Sequence, residues 1–127
     1  MKTETKMWLE LAREDYKDMQ VMAEGKRWRG SVFFAQQAVE KIVKAYIVEY
    51  TDKNPLKTHR IEKLIDEAGI DMTEINKPDV RTLSKAYEWT RYADLSYAHF
   101  RDKESVKPLL DTAEIVYLWL TKKFKNK

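Results

Sequence analysis

Four ionisable residues fall where apolar side chains belong. At the 3.6-residue helical period, Asp15 interrupts the stripe Trp8, Leu11, Ala12, Met19 and Met22. Arg91 and Asp94 continue the stripe Val80, Leu83 and Tyr87, and His59 opens a short helical pattern. An unpaired buried charge is very costly, so each of these groups must find a counter-charge or donors. Inward-facing ionisable groups on different helices predict a shared polar cluster. Two kinds of chemistry fit: an internal salt-bridge network that fixes helix register, or a site where Arg91 meets an anionic ligand. Arginine suits the second because its planar fork can grip a phosphate at two points. Periodicity alone favours the first.

A second polar group lies on one helix. Gln37, Glu40, Lys41 and Lys44 fall within about 100° of one another, opposite the apolar arc Ala35, Ala38, Val39, Ile42, Ala45 and Tyr46. Alanines at successive turns let a neighbouring helix approach closely.

The elements that must position these residues are all helical. The first pattern runs from Thr5 to Glu24 and stops at Gly25, a natural left-handed cap. The second starts after Gly30, with Ser31 as N-cap, and runs to Tyr50. A turn containing Asn54-Pro55 leads to Thr58, which caps a short helix from His59 to Ala68, ended by Gly69. Pro78 suits the first turn of the next helix, which extends to Tyr92 or beyond. The last helix is marked by Val106, Leu109, Leu110, Ala113, Val116, Tyr117, Leu120 and Phe124. Its cap is Ser105 or Asp102, and with Asp102 as cap, Pro108 sits deep enough to kink it. No strand emerges. The expected fold is all-α, an antiparallel up-and-down four-helix bundle with an additional short helix, forming one domain over residues 1–127.

Composition narrows the function classes. The chain has no cysteine and two histidines, which excludes disulfides and thiolate chemistry and leaves too few ligands for a histidine-built metal centre. No metal or other cofactor is expected. No apolar run has the length of a membrane span and no signal-peptide pattern opens the chain, so a cytoplasmic location is expected. The net charge of +3 is mildly basic and owes much to Lys122, Lys123, Lys125 and Lys127. That tail is expected to be a solvated helix end complementing the helix dipole.

The segment Phe34-Ala35-Gln36-Gln37-Ala38-Val39-Glu40-Lys41, followed by Lys44-Ala45-Tyr46, resembles the signature helix of HEPN domains. Ala12 to Asp15, Thr58-His59 and Arg91-Tyr92 occur in the family's order and spacing, so the resemblance covers nearly the whole chain. It implies a helical bundle, usually a homodimer. Such proteins often act beside a minimal nucleotidyltransferase, as a substrate-binding partner or as half of a toxin–antitoxin pair, and many bind nucleotides or RNA. The family's catalytic branch consists of metal-independent ribonucleases with an Arg and a His four to six residues apart in the gap between them. Here the gap is Tyr92 to Ala98, one residue too long. On a continuous helix, positions 91 and 99 lie about 80° and about 12 Å apart. Tyr92 is similar to the branch carrying Arg-Tyr-Pro, with Ala93 in place of the proline.

Three functions follow from the resemblance. In a binding module, Arg91 and Lys44 contact phosphate, Tyr92 stacks on a base, and Asp15 and Asp94 orient Arg91, with Lys41 and Gln37 completing the ligand side and Glu40 and His59 the polar cluster. In a ribonuclease, His99 is the general acid or base on the RNA 2′-hydroxyl and Arg91 stabilises the developing phosphorane charge. In a structural dimerisation module the cluster serves register alone, and Trp28, Trp89, Trp119 and Tyr117 are core or interface aromatics.

Overall fold

The computed structural model describes residues 1–125, so Lys127 of the basic tail lies outside the described residues. Among the described residues six α-helices follow one another: α1 Thr3–Glu24, α2 Trp28–Tyr50, α3 Ile61–Ala68, α4 Val80–Trp89, α5 Ala93–His99 and α6 Lys103–Lys125. A single 3-10 turn, Thr73–Ile75, precedes α4. Three helices are long, and the expected fourth long helix is instead two pieces, α4 and α5, broken at residues 90–92.

Helix α2 is central and packs against α1, α3, α4 and α6. Its burial follows from its residues. Val32, Ala35, Ala38, Val39, Val43, Ala45 and Ile47 are fully enclosed, so apolar groups face neighbours on nearly every side. The start of α1 meets the end of α2, where the Lys2 amide and the Thr5 hydroxyl both donate to Glu49, at 3.1 and 2.9 Å. The end of α6 lies at that same pole, where the Tyr50 hydroxyl donates to the carbonyl of Lys123 at 3.0 Å. Thus α1 runs against both α2 and α6. It also touches α6 through Tyr16 and Tyr117, stacked at 4.0 Å and 11°. Burial raises the pKa of both phenols above its usual value.

Several helix ends differ from the sequence expectation. The stripe of α1 that is buried is Thr5, Ala12 and Met19, flanked by half-buried Trp8, Leu9 and Tyr16, whereas Leu11 is 43% exposed. The left-handed residue after α1 is Lys26 (φ 58°), not Gly25 (φ −84°). Lys26 N–H donates to the Ala23 carbonyl and Arg27 N–H to that of Met22, the two bonds of a Schellman cap. Because this turn closes quickly, α2 starts at Trp28, and Ser31 sits inside it with its hydroxyl on the Trp28 carbonyl. Gly69 does cap α3 in the left-handed region (φ 67°). Pro78 lies just before α4. Asp79 is the cap, accepting from Thr82 N–H at 3.0 Å, and the Thr82 hydroxyl and amide hold its carboxyl below the usual range. Asp102 likewise accepts from the Ser105 amide at 2.8 Å, and α6 continues past Pro108.

The break between α4 and α5 contains neither glycine nor proline. Its carbonyls are taken by side chains: Tyr87 O accepts from the Thr90 hydroxyl at 3.1 Å, and Trp89 O accepts from the Ser96 hydroxyl at 2.6 Å. Local hydroxyl bonds of this kind compete with helix continuation. Tyr92 is extended (φ −115°, ψ 127°) and Ala93 is the first residue of α5. That is the position at which proline is favoured, after a residue already in the conformation proline requires.

Two stability measurements follow. Ala93→Pro is expected to stabilise the protein by about 0.4–1 kcal/mol in urea unfolding, whereas a loss would show that the first amide of α5 is needed. Gly69→Ala, where an added Cβ meets nothing within 4 Å, is expected to cost about 1 kcal/mol through backbone strain alone.

Candidate functional site

The polar residues sort into an interior network and an exposed ridge. The network is built on α2, where Gln36, Glu40 and Lys44 recur every four residues and are all buried. Glu40 is its hub, with a side chain only 5% exposed. Oε1 accepts from Gln36 Nε2 at 3.0 Å and from His59 Nδ1 at 3.0 Å, and Oε2 accepts from Lys44 Nζ at 3.1 Å. A carboxylate only accepts, so His59 carries its proton on Nδ1. Gln36 Nε2 also donates to the His59 carbonyl at 3.1 Å, and Gln37 donates to Gln36 Oε1 at 2.6 Å. The Lys44 ammonium sits 5.4 Å from the centre of the Trp8 ring on α1. One turn away, Asp15 of α1 is paired with Lys41.

The segment before α3 is pinned as tightly. Thr58 Oγ1 accepts from Arg60 N–H at 3.2 Å, and Ile61 N–H, the first amide of α3, donates to Ser84 Oγ of α4 at 2.7 Å. These bonds, with Gln36 on the His59 carbonyl, set the His59 ring flat on Tyr87, at 3.7 Å and 13°. The Arg91 guanidinium lies over that same Tyr87 ring at 3.5 Å and donates Nη1–H to the Tyr87 carbonyl at 2.5 Å. Two groups this close to one ring centre cannot share a face without overlapping. Tyr87 is therefore sandwiched, with His59 on one face and Arg91 on the other. The chain Glu40–His59–Tyr87–Arg91 thus runs from the buried network to the surface.

Arg91 is exposed and no carboxylate lies within ion-pairing distance of it among the described residues. Its carbonyl bond satisfies an orphan acceptor at the end of α4. Beside it on the ridge, Tyr92 is 54% and Tyr97 68% exposed, and Arg101 lies over the Tyr97 ring at 4.6 Å. Cations and exposed aromatic rings thus recur along residues 91–101, with Arg101 over one face of Tyr97. A cleft of about 410 Å³ adjoins the ridge, where Arg60, Arg81 and Lys85 share the wall with Glu62 and Glu88 beside His59 and Tyr87.

Several expected placements change. Asp15 and Asp94 do not orient Arg91: Asp15 is committed to Lys41, and Asp94 is exposed in the first turn of α5, where a negative charge complements the helix dipole. Arg91 and Asp94 do not point inward, because the break after Trp89 turns the stripe out of register. Lys44, Lys41 and Gln37 do not form an open ligand face. Lys44 is buried on Glu40, Lys41 is held by Asp15, and Gln37 is bonded to Gln36. His99 stacks on Trp89 at 3.7 Å and 7°, and with α4 and α5 separate, the continuous-helix spacing from Arg91 no longer applies. Arg101 was not singled out from sequence, since an isolated arginine in a polar turn carries no periodic signal. No three His, Asp or Glu side chains among the described residues are grouped to hold a metal ion.

Breaking the hub leaves a buried ammonium unpaired. Glu40→Ala is expected to cost about 3 kcal/mol of stability, and adding Lys44→Met should recover part of that loss. No recovery in chemical denaturation would show that the buried charge is not its source.

Searches of curated proteins and of solved structures returned no match. A family model described as the HEPN domain matches residues 5–124, from the first turns of α1 almost to the end of α6. The chain belongs to the HEPN domain family.

Proposed function

We propose that this protein is a nucleotide- or RNA-binding module, formed by one HEPN domain, in which Arg91 holds a phosphate and Tyr92 stacks on the attached base. One observation carries the reading: Arg91 is exposed, free of carboxylates, and fixed in orientation by the ring and carbonyl of Tyr87. A cation held in place before its ligand arrives loses little conformational freedom on binding. Its remaining N–H donors make no other hydrogen bond among the described residues. Lys44 and Lys41 act behind this surface, as parts of the network that positions His59 and α1.

The family context extends the proposal to partners. A minimal nucleotidyltransferase, in a toxin–antitoxin-like pair, is the expected protein partner. A homodimer is supported by exposed apolar residues on two helices, Met7 and Leu11 on α1 and Ile115 and Leu118 on α6. No helix among the described residues is long and apolar enough to cross a membrane.

The test uses a short fluorescent oligouridylate and anisotropy. Arg91→Ala is expected to weaken binding at least tenfold, or about 1.4 kcal/mol, with an unchanged Tm, while the wild-type protein leaves the RNA intact. Unchanged binding would overturn the role of Arg91. Cleavage by the wild type that both Arg91→Ala and His99→Ala abolish would replace this reading with the ribonuclease.

A further inference from the structure

A cavity of about 720 Å³ opens at the elbow between α1 and α2. Three cations line it, Lys26, Arg27 and Arg29, together with the aromatic rings of Trp28, Phe33 and Phe100. No acidic residue is in its wall, and none of the three cations has an ion-pair partner among the described residues. The neighbouring cleft between α1 and α6 behaves differently. There Lys26, Lys103 and Lys107 face Glu24, Asp111 and Glu114, so its charges cancel locally, and Lys107 bonds Asp111 at 2.7 Å. Lys26 borders both cavities, so the cations with no carboxylate in the wall beside them are Arg27 and Arg29 of the elbow cavity. Like charges brought together cost stability unless an anion joins them.

The backbone adds a second sign. Lys26 occupies the left-handed region, where glycine is favoured, although Gly25 is adjacent. The turn thus holds a lysine that borders the cavity in a conformation a glycine would adopt more easily. Behind it, Met22 closes on Gly30, leaving the cavity wall apolar beneath the charged rim.

The cavity is also continuous with the ridge. Thr90, the residue before Arg91, forms part of its wall. The cavity, with Arg27, Arg29, Trp28 and Phe33, therefore reaches the residue that precedes Arg91 and Tyr92 in the chain. A ligand satisfying both the cavity and Arg91 needs more than one phosphate and more than one base. Its size also suits the cavity, since small-ligand sites span about 300–1,000 Å³.

We propose that the elbow cavity is a second subsite for single-stranded RNA, taking the phosphate and base of a nucleotide close to the one held by Arg91. Arg27 and Arg29 hold the phosphate, and Trp28 stacks on the base. This rests on the binding function above, and the following experiment separates the two.

Anisotropy titrations with a fluorescent oligouridylate compare the wild type, Arg91→Ala, Arg27→Gln/Arg29→Gln and Lys26→Gly across a salt series. The arginine pair is exposed, so its removal leaves the fold intact. It is expected to weaken binding at least tenfold and to flatten the log–log salt slope by about 0.7 for each lost phosphate contact. Lys26→Gly should raise Tm yet weaken binding. Tryptophan emission should be quenched by oligouridylate, and Trp28→Phe should remove part of that quenching. If Arg91→Ala weakens binding and the arginine pair does not, the elbow subsite is wrong and the Arg91 site stands. If a base-free ribose-phosphate oligomer binds as tightly as oligouridylate, no base is taken up and the proposal fails. Absence of RNA binding by the wild type overturns both.

Discussion

A buried carboxylate organises this bundle. Glu40 lies inside the central helix, where an ionised group is tolerated only if its acceptor sites are filled. Three donors from two segments fill them: Gln36 and Lys44 from the same helix, His59 from the loop before α3. Each donor is then constrained in its own right. Lys44 rests against Trp8 of α1, and the His59 backbone is tied to Gln36. Apolar packing of α2 would be satisfied by many small rotations and slides. A carboxylate with three fixed donors is satisfied by few, which is how a costly group comes to specify an arrangement.

The consequence reaches the surface through rings. His59 bonds Glu40 while lying on Tyr87, and Tyr87 offers its other face and its carbonyl to Arg91. The orientation of an exposed guanidinium is thereby linked to a charge in the core. This explains why the two readings of the polar residues, internal network and ligand site, are not rivals. The network holds register in the interior, and its last member faces outward with donors to spare. The same division explains the pairing of Asp15 with Lys41, which neutralises a carboxylate on the α1 stripe without drawing on Arg91.

Much of this was legible in sequence, and the rest was not for identifiable reasons. The family was readable from the resemblance of Phe34 to Tyr46 to its signature helix, taken with Ala12 to Asp15, Thr58-His59 and Arg91-Tyr92, and the match over residues 5–124 agrees. The need for Asp15 to find a cation was equally plain, and Lys41 meets it. The end of α3 at Gly69 was readable because a glycine was the residue in the left-handed position. The end of α1 misled because the left-handed residue is Lys26 beside a glycine. The break at residues 90–92 was invisible because hydroxyls, not glycine or proline, terminate α4. Every misplacement of Arg91, Asp94 and His99 follows from carrying one helix through that break. The family pattern held a clue in the proline that Ala93 replaces, which would sit at the first position of α5.

Chemical-shift mapping by NMR, with unlabelled oligouridylate titrated into isotope-labelled protein, tests the central claim most directly. The expected result is a contiguous set of perturbed signals including the Arg91 side-chain Nε–H, the Tyr92 amide and the residues of the α1–α2 elbow. The signals of Glu40 and Lys44 should report only small, indirect changes. Perturbations centred on the opposite face of the bundle, or an Arg91 Nε–H signal unmoved at saturating RNA, would contradict the account.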